Sequence, residues 1–457
     1  MKRTWLPLLA LVFAASPAPA STTEIVPNDG SSIQRALDAH PGQPVHLPPG
    51  LYLIDAPLVI SSADSGLIGQ GTVIQTNDDA DILQIRDATR VQIEGITLKR
   101  SQPKLGKDQR AIRAQRADHL VLRNISVLGN RAAQAAVEIR ESDYVTVESC
   151  SVVDFKTVAV DNRMTNDLYR YAFNAINGHG IWIVGCRGAR IIRNRVIETE
   201  LLPTREVMEK YELGQVVERA DELGELASYG VSADGFVFIW HQGGGILVND
   251  ATRTAFTLLD GNYIENAAQG MDLHGDFMIV TNNHVTNCYM GMKAFHGARG
   301  VIISNNVFHK PGKYGILLRP GSESWEAGST GRHGEVRDEN VERGIIIAHN
   351  LITDQGYDQE SWRLWNADPS ETSPVGIKIG TGPLESNPRL IDLIIEGNMI
   401  YDRGRDLVLE NDHAVRPPPR YKWAIWFDDA WRAENVRMAN NIFHPGEEGV
   451  SNLPVTP

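Results

Sequence analysis

Cysteine is scarce, with three in 457 residues. Cys150, Cys186 and Cys288 show no metal-ligand spacing, and their odd number leaves one thiol unpaired even in an oxidising compartment. Neither a zinc site nor a disulfide framework therefore organises this chain. Basic residues also run short, 44 against 57 acidic, and the resulting net charge of −13 argues against nucleic acid or an anionic membrane as a partner. Phosphate-binding loops, dinucleotide fingerprints, nucleophile elbows and zinc signatures are all missing. Beyond the N-terminal segment no apolar run is long enough to span a membrane.

That segment, "MKRTWLPLLALVFAASPAPA", has a Lys-Arg start, a short apolar stretch and an A-x-A ending at Ala20. It reads as a cleaved secretory signal over residues 1–20, which places the mature chain outside the cell or in the periplasm.

Repetition is what the sequence does have. The segments "LVLRNISV", "RIIRNRVIE", "TLLDGNYIE", "IVTNNHVTN", "IISNNVFH", "IIAHNLIT", "IIEGNMIY" and "RMANNIFH" each set an Asn between two short apolar strands. The Asn positions are 124, 194, 262, 283, 306, 350, 398 and 441. A third strand precedes the later copies: "GIWIV", "GILVN", "GMDLH", "GMKAF", "GILLR", "GIKIG" and "AIWFD". Three short strands per period with alternating apolar residues describe one turn of a parallel β-helix, an all-β solenoid of three sheets. Asn tolerates left-handed backbone at a tight corner, and its amide can bond the Asn one turn away, so one corner is expected to carry an Asn ladder.

With these repeats the chain resembles the right-handed parallel β-helix superfamily of pectate lyases over roughly residues 45 to 445. In that superfamily the Asn corner joins the second and third sheets, which makes the "GMDLH" set the first sheet. "SSIQRALDAH", ahead of "VHLPPGLYLI", is expected to be an N-terminal capping helix over the open apolar end. Residues 21–457 then form a single domain with loop insertions. The superfamily implies a polysaccharide or oligosaccharide substrate. Calcium is common among its members, although no carboxylate cluster here requires a cofactor.

The Asn corners never lengthen. The other two corners do, at about 155–179, 198–243, 353–375 and 402–423 before first-sheet strands, and at 320–342 and 380–389 after them. Both kinds flank the first sheet, so walls are expected along one face with a groove between them. The stretch "REVMEKYELGQVVERADELGELASYG" has helical spacing and predicts a helical insertion at about 200–240, either a solvated surface helix or a lid or oligomer contact. Tyr169, Tyr171, Trp240, Trp325, Trp362, Trp365 and Trp423 fall in loops or next to them, where rings suit the C–H faces of sugars.

In each first-sheet strand the second and fourth residues are apolar and point inward, so the third and fifth face the groove. The third column reads Glu138, Trp182, Leu247, Asp272, Lys293, Leu317, Lys378 and Trp426. The fifth reads Arg140, Val184, Asn249, His274, Phe295, Arg319, Gly380 and Asp428, and His296 follows Phe295. Asp272, His274, Lys293, His296 and Arg319 are expected to share one patch.

A polysaccharide lyase needs a base for the proton beside a uronate carboxyl, cations on that carboxyl, and an acid for the leaving oxygen. The patch supplies these types. Lys293 is expected as base, Arg319 and His274 as carboxylate neutraliser or acid, and Asp272 as the residue holding the cations. Asn249, His296, Lys378, Trp182, Trp426 and Asp428 would bind neighbouring sugars. "GMKAFHG" then "GILLRPG" is similar to the Lys-then-Arg of β-helix lyases of the alginate lyase and chondroitinase B type, with Lys293 and Arg319 in different columns.

Two other classes compete. A glycoside hydrolase or transglycosylase, fructotransferases included, needs two carboxyl groups, Asp272 with a loop acid such as Asp234 or Glu265. "NGHGIWI" is similar to the Gly-His-Gly of polygalacturonases but lacks their preceding Asp motif, which makes His179 a corner residue. A non-catalytic glycan-binding solenoid would show aromatics without a clustered acid, base and cation.

Overall fold

The computed structural model describes residues 25–76, 79–162, 171–199, 201–202, 204–219, 243–294, 297–318, 336, 341–356, 374–380, 389–403, 408–410, 413–428 and 433–453. Residues 1–20, read above as a secretory signal, lie outside them. The described chain is a right-handed parallel β-helix. Its first sheet stacks 12 parallel strands, from Leu58–Ile60 to Gly449–Ser451. The second and third sheets form a continuous 22-stranded ladder, because strands such as Gly66–Thr76 and Gln92–Arg100 run through the corner between them.

Inward side chains stack in columns. Ile181, Ile246, Met271, Met292, Ile316, Ile377 and Ile425 are paired on consecutive first-sheet strands, and all are 0% exposed. Each such side chain contributes roughly 1.5–3 kcal/mol of burial. Gly180, Gly245, Gly270, Gly291, Gly315 and Gly376 precede this column, and they are there for space. A Cβ at Gly291 would lie 2.4 Å from the Gly315 carbonyl oxygen and 2.6 Å from the Phe308 ring. The first and third sheets approach so closely along this edge that no side chain fits.

The Asn corner divides its work between two consecutive residues. The left-handed position is held by Asn124, Ser149, Arg193, Gly261, Asn282, Asn305, His349, Gly397 and Asn440, with φ from 52° to 65°. The ladder occupies the next residue: Asn194, Asn262, Asn283, Asn306, Asn350, Asn398 and Asn441. Each amide Nδ2 donates to the next Oδ1 at 2.9–3.0 Å. Asn124 is thus a left-handed corner residue one position before the ladder. Cys150 stands in the ladder's own column, and its backbone N–H donates to Asn194 Oδ1 at 2.9 Å. It is buried like the other two cysteines, and burial pushes its thiol up to about 11.

The expected capping helix spans Ser31–Ala39 and buries Ile33, Ala36 and Leu37 over the open end. Asp29 Oδ1 accepts the Ser31 N–H at 3.0 Å, closing the helix start from one residue outside it.

Two insertions combine beside the first sheet. Thr157–Asn162 pairs antiparallel with Tyr171–Asn177, which pairs antiparallel with Val216–Arg219. The helix of the second insertion covers only Arg205–Tyr211, capped by Thr204 and stopped by Glu212 in the left-handed region at φ 50°. The longer helix expected there is corrected to one short helix and a strand within the described residues. "VVER" has helix-compatible spacing, but an available strand edge and two β-branched residues favour pairing. Ile176, Leu201, Leu213 and Tyr289 form the core of this wall and tie it to the edge of the first sheet.

Candidate functional site

The outward columns follow from the register. Glu138, Trp182, Leu247, Asp272, Lys293, Leu317, Lys378 and Trp426 are direct partners on successive strands. Adjacent members are about 4.8 Å apart, so charge on one turn meets charge on the next.

Asp272 is the centre of the best-defined cluster. Its Oδ1 lies 2.8 Å from His274 Nε2 and its Oδ2 lies 3.0 Å from Lys293 Nζ. Asp272 and His274 project outward from the barrel, yet they are only 7% and 4% exposed, so the rung is buried. Burial pushes the Asp272 carboxyl up, and Lys293 and His274 outweigh it, holding the group well below the usual carboxylate range. Asp272 is therefore an ionised, partly dehydrated carboxylate with a cation on one oxygen and an imidazole on the other.

His179 belongs beside this rung. The sequence suggests a corner residue, whereas the structure makes it the first residue of the strand His179–Val184, paired with Ala135. Its Nδ1 accepts the Gly244 N–H at 2.8 Å, which leaves the ring proton on Nε2. Burial lowers its pKa to about 4, while Asp272 pulls it up and Lys293 pushes it down. The ring is neutral at pH 7 and has a single tautomer. The Gly-His-Gly spelling was the available signal, and its flanking glycines pointed to a turn.

Trp182 is the next aromatic of the column. Its ring lies 5.5 Å from that of His179 and 4.6 Å from the Arg140 guanidinium. Glu138 is 1% exposed and ion-paired with Arg110 and Arg140. Asn249, one turn before His274, turns its Oδ1 to the N–H of Asp250 at 2.6 Å, so that acceptor is spent on the corner.

A second cluster lies three turns beyond Asp272. Lys378 Nζ is 3.0 Å from Asp428 Oδ2, 3.4 Å from the Tyr314 hydroxyl and 4.3 Å above the Trp426 ring. It is separated from Asp272 by about 14 Å along the stack.

Arg319, His296, Phe295 and Asp234 lie outside the described residues, as do Tyr169, Trp240, Trp325, Trp362 and Trp365. Glu265 is described, and it ends the strand Tyr263–Glu265 outside the first sheet, accepting the Tyr263 hydroxyl at 3.1 Å. It is not positioned as the second carboxyl for Asp272. Along the outward columns the other described carboxylates, Glu138 and Asp428, are three and four turns away, or about 14 and 19 Å.

No group of three or more His, Cys, Asp or Glu among the described residues is placed to hold a metal ion. Among the described residues the outward carboxylates of the first sheet pair with cations, through Lys293, Lys378, Arg110 and Arg140, a donor set that does not fit calcium. No described helix is long and apolar enough to cross a membrane.

Comparison with known proteins agrees with this architecture. A family model described as a right handed beta helix region matches residues 226–359. The Streptococcus pneumoniae surface protein and adhesin PfbA superposes with a TM-score of 0.52 at 11% identity, covering 95% of this chain and 97% of that one. The Agl-KA catalytic domain gives 0.51 at 10% identity over 96% of this chain and 69% of that one. The catalytic unit of the thermostable GH87 alpha-1,3-glucanase from Streptomyces thermodiastaticus strain HF3-3 gives 0.50 at 9% identity over 96% and 70%. At these identities the likeness is one of fold. No curated protein sequence matches. The chain is a right-handed parallel β-helix protein of the architecture shared by pectate lyases.

Proposed function

We propose that this chain is a secreted enzyme that cleaves a uronate-containing polysaccharide by β-elimination, with the reaction at Asp272, His274 and Lys293. The observation that carries this reading is the ionised Asp272, held between an ammonium and an imidazole on the groove face. Elimination needs the substrate carboxyl neutralised, the adjacent C–H proton removed and the glycosidic oxygen protonated as it leaves.

The ion pair reassigns two roles. The Asp272 carboxylate holds Lys293 Nζ in place at 3.0 Å, which suits the lysine to binding the uronate carboxyl. His274 is then the proton-exchanging group, oriented by Asp272. His179, with its proton fixed on Nε2, is a donor for the same sugar, and Arg319 and His296 remain candidates for the carboxyl group.

A second reading, glycoside hydrolysis or transfer, is favoured by the low pKa of Asp272, which suits a nucleophile. The carboxyl pair of such enzymes is about 5 to 9.5 Å apart, and the described outward columns offer no partner at that distance. The adhesin among the similar structures keeps a purely binding role in view, because fold alone does not fix function.

One assay separates the three. The protein is incubated with acidic and neutral glycans while ultraviolet absorbance of unsaturated products and reducing ends are followed together. Both signals rising supports elimination, and reducing ends without absorbance overturns it in favour of hydrolysis. Neither signal, with glycan binding retained, supports the binding role. His274→Ala is expected to lower the rate by about 10²–10⁴-fold.

A further inference from the structure

We infer that Lys378, Asp428, Trp426 and Tyr314 form a separate subsite for an uncharged pyranose with two adjacent hydroxyls. The inference rests on the reading of the first-sheet face as a glycan groove and names what one end of that groove holds.

The four side chains belong to three successive first-sheet strands, Tyr314–Leu318, Val375–Ile379 and Trp423–Phe427, with Asp428 directly following the last. Tyr314, Leu317 and Val375 make an apolar floor, against which Trp423 and Trp426 are partly buried. Lys378 lies over the Trp426 ring at 4.3 Å and near the Tyr314 ring at 5.3 Å, so the ammonium is held in place from two sides.

Asp428 is held just as closely. Its carboxylate fills the space beside residue 380, where a Cβ would lie 2.8 Å from Asp428 Oδ2. Glycine at that position lets the acid fold toward Lys378, and the ion pair forms at 3.0 Å. The side chains of Lys378 and Asp428 remain 12% and 22% exposed, enough to present one donor and one acceptor side by side.

That pairing sets the ligand class. Neighbouring sugar hydroxyls each donate and accept, so a Lys–Asp pair held in place by Trp426 and Tyr314 can bond two of them. A uronate carboxylate would meet Asp428 bonded by Lys378 alone among the described residues, whereas Asp272 has both Lys293 and His274 on its oxygens. The rung at Asp272 and this subsite are about 14 Å apart. The substrate class is therefore a heteropolysaccharide, with an uncharged sugar bound several units from the uronate that reacts.

Titration calorimetry with cellohexaose, maltohexaose, laminarihexaose and hexagalacturonate, at low and high salt, tests this. At least one uncharged hexaose is expected to bind with little salt dependence. Trp426→Ala and Asp428→Asn are expected to weaken that binding by about fivefold or more with the thermal midpoint essentially unchanged. Absence of binding by all three uncharged probes, or tighter salt-dependent binding of hexagalacturonate that Asp428→Asn strengthens, overturns the inference. So does uncharged binding that both variants leave intact. Cleavage without uncharged-sugar binding removes the subsite alone, and binding without cleavage removes the lyase reading alone.

Discussion

Two buried titratable residues give the protein opposing pH responses. His179 has its pKa lowered to about 4 by burial, so between roughly pH 6.5 and 4 the unfolded chain binds a proton that the folded chain refuses. Stability therefore falls as pH drops through that window, by roughly 1–3 kcal/mol for this group. Glu342 behaves in the opposite sense. It is 0% exposed, and burial raises its pKa well above the ordinary value while a Gly297 backbone bond pulls it down. Its stabilising neutral form is complete below the unfolded pKa and is lost as pH rises. Thermal melts should show His179→Gln losing less stability than wild type between about pH 7 and 5, and Glu342→Gln losing less between about pH 5 and 8. A Glu342→Gln profile parallel to wild type throughout would mean that its carboxyl is ionised in the fold. Neither residue could be read this way from sequence. Burial of a polar side chain depends on what packs over it, and strand periodicity carries no such information. Asp272 and Lys293 were legible because two-residue alternation and repeat register together make them neighbours.

At the scale of the element, the corner residue and the strand-edge glycine are the strictest positions. Asn306 accepts from the backbone N–H and the amide of Asn283, and its own amide donates to Asn350 and to the Val280 carbonyl. Asn306→Ala leaves these partners buried and unsatisfied, and it is expected to cost about 2–4 kcal/mol in chemical denaturation. A loss below about 0.5 kcal/mol would show that water replaces the amide. Gly291→Ala is expected to cost at least as much, about 2–4 kcal/mol, since the new methyl meets a carbonyl oxygen and a core ring. The repeat revealed the ladder, but it merged two columns. Asn124 and Asn194 look alike as letters, and only the backbone shows that one bends the chain while the other bonds its neighbours. The insertions were legible as insertions, and their antiparallel sheet was not, because its pairing joins segments from two different turns.

For the whole molecule, stability is close to a sum over turns and the contacts between them. The exposed end of such a stack is its weakest place, which gives the helix Ser31–Ala39 a disproportionate role. Ile33→Asp should open the first turns, seen in hydrogen exchange as loss of protection over residues 45–76 with the strands around Asp272 retained. Uniform loss along the chain would mean that the solenoid unfolds as one cooperative unit. The proposed reaction centre and the inferred subsite lie in the middle and later turns, away from this end, so a frayed first turn would leave them assembled.

The ladder has a direction as well as a position. From Asn194 to Asn398 each amide donates to the Asn of the next, C-terminal turn, and from Asn262 to Asn441 each accepts from the Asn of the N-terminal one. Seven amide dipoles thus add head to tail and polarise one another along the spine of the barrel. Cys150 caps the acceptor end with a backbone N–H, whereas Asn441, the last rung, donates its amide back to the Ile395 carbonyl of the preceding turn. The ladder is therefore a polar stack, and each turn added within it extends the line by one aligned amide. Duplication of a repeat preserves that vector, and reversing a single side-chain amide would set donor against donor on one side and acceptor against acceptor on the other.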